Sequence, residues 1–335
     1  MKRLSDINTY ILENDLLKIE ISSLGAAILK FIVKKPDNSE VDIVLGHKNL
    51  ADYITNPGNH GVMIGRNANR IENAKVTIDD KTYDLEANDF ANNLHSGSNG
   101  LQKRLFDLAD VSQDHLVLKT KIQEFSDGFP GNLFVTITYL LKDNELVIKQ
   151  EATTDKKTIV NICNHSYFNL NGQDNSTIDN HNLYINSNFY MPNTKESIPT
   201  KEIKASLDSP YDFTRNPLLK DHLHMNYAEV IRTKGFDNNF LINNDQNDLV
   251  AKLYSKQSGI SLSIHSDLSA MHVYTGNHFP DPTIGKSNLA YPKHGGIAFE
   301  TQLSPNSLNM PWLKSPILNV DEVYETYTSF KIDLD

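Results

Sequence analysis

The sequence has very little cysteine and no long apolar run. Cys163 is the single cysteine among 335 residues, so neither an intramolecular disulfide nor a cysteine zinc cluster can form. The first residues, Met1-Lys2-Arg3, are not followed by an apolar stretch, and no segment is long and apolar enough to span a bilayer as a helix. These absences predict a cytoplasmic protein that does not enter a membrane.

Positive charge is also scarce. The formal net charge is −10, from 32 Lys and Arg against 42 Asp and Glu. Nucleic acids and anionic membrane surfaces attract positive potential, so neither is an expected partner. Hydrophobic residues make up 39% of the chain and include 14 Phe and 14 Tyr. That content is sufficient for a large core and excludes global disorder.

Segments typical of strands dominate the chain. Four pairs of such segments, each pair separated by a short turn sequence, predict β-hairpins at 16–21 with 26–33, 76–78 with 82–85, 133–141 with 145–151, and 249–254 with 260–264. The alternating segment 324–334 predicts a further, half-exposed strand. Only 48–54 and 218–223 favour short helices.

This pattern predicts an all-β protein built as a large antiparallel β-sandwich or barrel. No stretch has the composition of a linker, so residues 1–335 are interpreted as a single domain. The polar segment 192–212 is predicted to cover one edge of the fold.

Three polar motifs next to strand-like segments carry imidazoles and a carboxylate, centred on His95, His165 and Glu300. Such groups either satisfy buried hydrogen bonds or transfer protons. His95 alone fits an ordinary turn. Glu300 fits either a buried ion pair or a general base. Alternation in the second motif would place Cys163, His165, Tyr167 and Asn169 on one face, a mixture typical of a strand that lines a ligand.

Two further motifs contribute arginines and an acid. In Gly65-Arg-Asn-Ala-Asn-Arg-Ile71, Arg66 is interpreted as a buried structural arginine, whereas Arg70 fits a structural or a binding role equally well. Asp237 could accept two hydrogen bonds from neighbouring sugar hydroxyls, although its spacing favours an Asx-turn. His222 and His224 have the spacing of metal ligands but no third ligand nearby, and they are interpreted as surface loop.

Taken in order, six motifs resemble the galactose mutarotase (aldose 1-epimerase) family. Each is weak alone, but six in the same order from about Ile19 to the carboxyl end are specific. They lie at 65–71, 93–97, 164–170, 235–240, 274–277 and 299–302. The resemblance implies a β-sandwich of the supersandwich kind and an isomerase that interconverts the α- and β-anomers of free hexoses such as galactose and glucose. It implies no metal and no cofactor, a small-molecule sugar as partner, and a monomer or homodimer.

The resemblance also implies roles for particular residues. Glu300 would be the general base that removes the proton of the anomeric hydroxyl, and His165 the general acid that protonates the ring oxygen. The residues implied to bind the sugar, with His95 close to the ring oxygen, are Asn69, Arg70, His95, Tyr167, Asp237 and His272.

The chain departs from the family pattern at three positions. Ser96 replaces a usual glycine, Asn238 a usual histidine, and His272 a glutamine that contacts sugar in the family. The acid–base pair is unaffected, but the preferred sugar stays open among galactose, glucose and a disaccharide such as maltose. Two alternatives are a hexose-6-phosphate epimerase, which needs a cluster of cations, and a non-catalytic sugar-binding protein.

Overall fold

The computed structural model describes residues 3–174, 176–243, 248–280 and 283–335. Within these ranges the chain forms 26 strands and two short α-helices, α1 (Leu219–Leu223) and α2 (Ala228–Thr233). In chain order the strands are β1 Thr9–Glu13, β2 Leu17–Ser22, β3 Ile28–Lys34, β4 Glu40–Asp42, β5 Met63–Ile64, β6 Arg70–Ile71, β7 Lys75–Ile78, β8 Lys81–Asp84, β9 Asn93–Leu94, β10 Asp107–Val111, β11 His115–Ile122, β12 Leu133–Lys142, β13 Glu145–Thr154, β14 Thr158–Ile159, β15 Cys163–Asn164, β16 Tyr167–Phe168, β17 His181–Ile185, β18 Phe189–Met191, β19 Lys204–Ala205, β20 Asp237–Leu241, β21 Leu249–Ser255, β22 Ile260–Ser266, β23 Ala270–Tyr274, β24 Ile297–Gln302, β25 Ile317–Leu318 and β26 Tyr324–Leu334. Single 3₁₀ turns occur at Leu4–Asp6, Leu50–Ile54, Glu72–Ala74, Gly97–Asn99, Leu101–Lys103 and Ser307–Asn309.

Two large antiparallel sheets organise the fold. One has eight strands in the order β10-β11-β12-β13-β26-β22-β21-β17, and the other has six in the order β16-β24-β23-β20-β18-β19. Their inner faces meet where Phe168 of the six-stranded sheet packs against Phe330 of the eight-stranded sheet, with ring centroids 5.0 Å apart. The predicted antiparallel β-sandwich is therefore confirmed.

The four predicted hairpins are confirmed as β2–β3, β7–β8, β12–β13 and β21–β22. The segment 324–334 is a strand, as predicted, but more of it is buried than expected. Only Glu325 and Asp333 are exposed, because β26 lies between β13 and β22 in the middle of the sheet.

The helical segments are short, as the sequence predicts. Residues 50–54 form a 3₁₀ turn and 219–223 form α1, whereas α2 was not predicted. The interpretation of His222 and His224 as surface loop is wrong for His222, which is buried in α1 with Nδ1 2.8 Å from the carbonyl oxygen of Pro210. Among the described residues, no helix has the length and apolarity needed to cross a membrane.

Arg66 has the predicted structural role. Its guanidinium forms two hydrogen bonds to the carboxylate of Asp127, at 2.9 and 3.1 Å, and both side chains are completely buried. The remaining nitrogen, Nη1, donates to the carbonyl oxygens of Pro130 and Gly131 and to the hydroxyl of Thr158. One arginine thus ties three chain segments together.

A buried histidine at the start of β17 makes stability depend on pH. His181 accepts the amide hydrogen of Leu170 at Nε2 and donates from Nδ1 to the carbonyl oxygen of Ile178, and burial lowers its pKa from the usual 6.5 to about 4. Below pH 6.5 the His181 imidazole therefore binds a proton in the unfolded chain, whereas in the folded chain it stays neutral until about pH 4. The contribution of neutral His181 to the unfolding free energy is fully present above pH 6.5 and is lost as the pH falls towards 4.

We expect this one ring to remove about 2 kcal/mol of unfolding free energy between pH 7 and pH 5. Urea unfolding of His181→Gln, which keeps a donor and an acceptor but does not titrate, should show that much less pH dependence than the unsubstituted chain. His224, whose side chain is 63% exposed, provides the control, since His224→Gln should leave the dependence unchanged. Equal slopes for His181→Gln and the unsubstituted chain would contradict the assignment.

Candidate active site

A polar pocket lies on the outer face of the six-stranded sheet, with a cavity volume of about 350 Å³. This volume is at the lower end of the range for small-molecule sites. All eight residues named from the sequence line it, namely Asn69, Arg70, His95, His165, Tyr167, Asp237, His272 and Glu300. Side chains that are up to 231 residues apart in the sequence, from Asn69 to Glu300, therefore converge in one cleft.

Three of these side chains face the pocket because successive side chains along a strand point to opposite faces of the sheet. Along β20, β23 and β24 the residues Phe240, Val273 and Phe299 are buried in the sandwich core. Their neighbours therefore point to the opposite face of the sheet. Asp237, His272 and Glu300 belong to that face, and the register places His272 directly opposite Glu300. The core determines which face is polar, and the pairing then determines the spacing of the polar groups.

The sequence suggested one continuous strand around His165, but the structure has two short strands there. Cys163–Asn164 pairs with β5, Tyr167–Phe168 pairs with β24, and His165 lies between the two. His165 Nε2 is 3.5 Å from Glu300 Oε1, and both side chains are almost fully buried. Asn169, predicted on the same face, donates instead to the carbonyl oxygen of Gly295 and does not line the pocket.

His95 and Asn69 are held by reciprocal backbone contacts. The amide hydrogen of Asn69 is donated to His95 Nδ1 at 3.1 Å, and the amide of His95 is donated to the carbonyl oxygen of Asn69. Burial, and then the neighbouring His165 imidazole and the positive charge of Arg70, keep the pKa of His95 well below its usual value. The ring is therefore neutral, and because Nδ1 accepts, its proton is on Nε2.

Arg70 brings a fixed positive charge to the pocket. The positive φ of Asn69 (62°) turns the chain there, so Arg70 points into the pocket while Arg66 points into the core. Arg70 Nε donates to Asp89 Oδ2 at 2.7 Å. Burial opposes the charge, but the carboxylates of Asp237 and Asp89 outweigh it and raise the pKa of Arg70.

Asp237 is a strand residue, so the Asx-turn interpretation is wrong. Its Oδ1 lies 2.8 Å from His272 Nε2. Burial alone would raise the pKa of Asp237, but the hydrogen bond from the neighbouring His272, together with the charge of Arg70, lowers it well below its usual value. The acid is therefore ionised. His272, which replaces the glutamine of the family pattern, contacts this acid, and its Nδ1 is buried without a hydrogen-bond partner among the described residues.

An aromatic wall closes one side of the pocket. The ring of Tyr167 lies 4.9 Å from that of His165, and its hydroxyl donates to the carbonyl oxygen of Gly58. Burial and nearby acidic groups raise the pKa of Tyr167 well above its usual value, so the hydroxyl keeps its proton. The fully buried ring of His60 and the partly buried ring of Phe279 pack behind it. This wall offers an apolar surface to the face of a ring-shaped ligand.

His95, His165 and Glu300 have potential metal-ligand atoms within 4.8 Å of one another. The tautomer of His95 opposes metal binding there. Because Nδ1 already accepts the Asn69 amide hydrogen, a metal at Nε2 would force the ring proton onto Nδ1, where it would face a second donor. The arrangement suits hydrogen bonds to a ligand better than coordination.

Several pocket residues were not identified from the sequence. Tyr274 and Asn277 belong to the motif at 274–277, for which no binding role was predicted. Lys195 and Ser197 come from the segment 192–212, which was expected only to cover an edge of the fold. Arg232 comes from α2, which was not predicted. Nothing in their local sequence marks these last three, because only the folded chain brings them to the cleft.

A β-sandwich whose outer pocket pairs a carboxylate with an imidazole defines a protein with a site for proton transfer on a small polar ligand. The sequence pattern described as aldose 1-epimerase matches residues 8–331. The chain belongs to the aldose 1-epimerase family, which confirms both the family and the isomerase class expected from its motifs.

Individual relatives agree with this assignment. Human galactose mutarotase is 33% identical over 329 residues, covering 98% of this chain and 94% of the human protein. Among solved structures, galactose 1-epimerase from Lactobacillus acidophilus NCFM has a TM-score of 0.85 at 25% identity and covers 98% of each chain. An aldose epimerase homologue from C. elegans has a TM-score of 0.91 at 24% identity, covers 98% of this chain and 99% of its own, and agrees in fold.

Proposed function

We propose that this chain interconverts the α- and β-anomers of free hexoses, galactose and glucose, with Glu300 as general base and His165 as general acid. One observation carries the proposal: Glu300 Oε1 and His165 Nε2 lie 3.5 Å apart inside the polar pocket. The two oxygens of a hemiacetal are bound to the same carbon. An acid and a base that serve them must therefore lie within a few ångströms of each other.

The reaction needs only two proton transfers. The Glu300 carboxylate removes the O1 proton of the pyranose while His165 donates a proton to the ring oxygen O5. The C1–O5 bond breaks, the C1=O1 double bond forms, and the sugar is an open aldehyde. Rotation about C1–C2 presents the other face of the carbonyl, and the same groups then act in reverse, with His165 as base and Glu300 as acid. Protons and electrons balance without a redox partner.

The other pocket residues fit the binding roles implied by the resemblance. His95 presents an Nε2–H donor, and its ring lies 5.6 Å from that of His165, a position suited to hold the ring oxygen. Arg70 supplies a cation and Asp237 an ionised acceptor for hydroxyls. Tyr167 supplies the surface on which the sugar ring packs.

The pocket gives less support to a phosphorylated sugar. Three cationic side chains line it, Arg70, Lys195 and Arg232. Arg70 is already paired with Asp89, and Arg232 donates to the carbonyl oxygens of Thr194 and Asn193. Of the three, only the exposed Lys195 has no hydrogen-bond partner among the described residues, and one lysine is a weak phosphate site.

The proposal also covers the compartment, the domain organisation and the oligomeric state of the protein. The single buried cysteine supports a reducing compartment, for which the cytoplasm is proposed. Continuous packing between the two large sheets supports a single domain. The proposal further includes a monomer or homodimer and a reaction without metal or cofactor.

A panel of freshly dissolved sugars followed by polarimetry tests the proposal. The protein should bring α-D-galactose and α-D-glucose to their equilibrium rotation faster than buffer alone, and dialysis against EDTA should not reduce the rate. Maltose tests acceptance of a disaccharide, and glucose 6-phosphate tests the phosphosugar alternative. Turnover of glucose 6-phosphate alone would replace the proposal, and tight sugar binding without any acceleration would identify a non-catalytic binding protein.

A further inference from the structure

The carboxylate of Glu300 has a second close neighbour that the reaction does not use. Cys163 Sγ lies 3.6 Å from Glu300 Oε2, within the range for a thiol hydrogen bond. Cys163 is completely buried and Glu300 is 2% exposed. Since Oε1 faces His165, the two oxygens of the carboxylate have different neighbours, an imidazole on one side and a thiol on the other.

The direction of the hydrogen bond follows from the protonation states. Burial, and then the negative charge of Glu300, raise the pKa of the Cys163 thiol well above its usual value. The sulfur therefore keeps its hydrogen, and the carboxylate accepts it. A thiol is a weak donor, so it can orient the carboxylate while neutralising little of its charge. A guanidinium at the same place would pair with the carboxylate and weaken it as a base.

Chain topology makes this contact part of the acid–base geometry. Cys163 and Asn164 form β15, which is paired with β5, and His165 follows directly. The same short segment therefore carries the acid and, two residues earlier, the group that contacts the base. Among the described residues, His165 and Cys163 are the two side chains within bonding distance of the Glu300 carboxylate.

We propose that Cys163 is a positioning residue that holds Oε2 of Glu300 by a thiol hydrogen bond and so directs Oε1 towards the anomeric hydroxyl. This inference rests on the proposed role of Glu300 as the base. It extends that role by explaining how the carboxylate keeps Oε1 turned towards His165 inside a cavity that must also admit and release a sugar.

The acid limb of the pH–rate profile reports on this contact. A hydrogen bond to the ionised carboxylate favours ionisation, so its removal should move the limb to higher pH. Other titratable or charged groups also influence Glu300. The groups on the surrounding elements are Arg70, His95, His165, Tyr167, Asp237 and His272 in the pocket, and Tyr324 near Cys163. These side chains are all kept when Cys163 is substituted, so a shift that occurs in the donor-free variants but not in Cys163→Ser is attributable to the thiol hydrogen bond.

The test compares variants that lack the donor with one that keeps it. In Cys163→Ala and Cys163→Val, the acid limb of kcat/KM, corrected for the buffer rate, should move up by roughly 0.4 to 1 pH unit. We expect kcat to fall roughly three- to tenfold, because misplacement of a reacting group slows the chemical step. KM should stay within about twofold, because Cys163 does not line the pocket. Cys163→Ser, which keeps a donor, should stay near the unsubstituted profile.

Ile64→Val is the matched packing control. Ile64 lies opposite Cys163 in the β15–β5 pairing and belongs to the same buried cluster, so the substitution removes one methyl group and no donor. Thermal unfolding confirms that each variant is folded, and Val replaces Ala as the donor-free variant if Ala is not. The proposal is overturned if the donor-free profiles superimpose on that of Ile64→Val, or if Ser shifts the limb as far as Ala does.

The failure of this inference and the failure of the proposed function are distinguishable. An inactive Glu300→Gln together with unshifted Cys163 profiles rejects the positioning role alone. A fully active Glu300→Gln rejects the proposed function, and the role of Cys163 is rejected with it.

Discussion

Glu300→Gln should lose at least about a hundredfold in kcat, and up to about ten-thousandfold, while sugar binding changes little. The range is the usual contribution of one positioned proton transfer. The amide has nearly the shape of the carboxylate, so the packing of β24 against the core is retained. It has no basic oxygen that can accept the O1 proton, however, and mutarotation should approach the buffer rate. Polarimetry with α-D-galactose, at saturating sugar, measures the loss directly.

Glu325→Gln is the control for this substitution. Glu325 is exposed on β26 in the other sheet, so it tests whether removal of one negative charge affects the rate. Its rate should equal that of the unsubstituted protein. A Glu300→Gln variant that keeps more than about a tenth of the rate would assign the base to another group, since a lost general base costs more than that.

The sheets could be predicted from the sequence more fully than the site. The hairpin β12–β13 has a short turn and regular alternation on both strands, and local pattern is enough to predict it. The pairing of β26 with β13 and β22 joins segments far apart in the chain. No local signal specifies which partners a strand will have, so the central position of β26 and its burial were missed.

For the site, the identities of the residues were predictable but the contacts were not. Resemblance to family motifs identified His165 and Glu300, yet their 3.5 Å separation depends on β15, β16 and β24 meeting in space. Asn69 and His95 both have positive φ, so strand alternation does not describe the directions of their side chains. The local sequence favours a turn at Asp237, because the hydrogen-bond partner of its carboxylate, His272, lies 35 residues later in the chain.

Asp127→Asn should lower the unfolding free energy by about 3–5 kcal/mol, the usual cost of leaving one member of a buried ion pair without its partner. Burial lowers the pKa of Arg66, but a guanidinium stays charged at neutral pH. Asp127 is its single carboxylate partner among the described residues. A loss of this size is a large fraction of the 5–15 kcal/mol that stabilises a typical domain. Urea unfolding at neutral pH measures it.

The exposed pair Lys75–Asp84 is the control, because its side chains are 58% and 80% exposed. Asp84→Asn should cost no more than about 1 kcal/mol, since water solvates the lysine when its partner is gone. A double variant, Arg66→Met with Asp127→Leu, separates the cost of the unpaired buried charge from the loss of the hydrogen bonds. It removes both buried charges, so it should be more stable than Asp127→Asn even though it lacks every bond of the pair. If the double variant were the less stable protein, the bonds from Arg66 to Pro130, Gly131 and Thr158 would outweigh the cost of the unpaired charge.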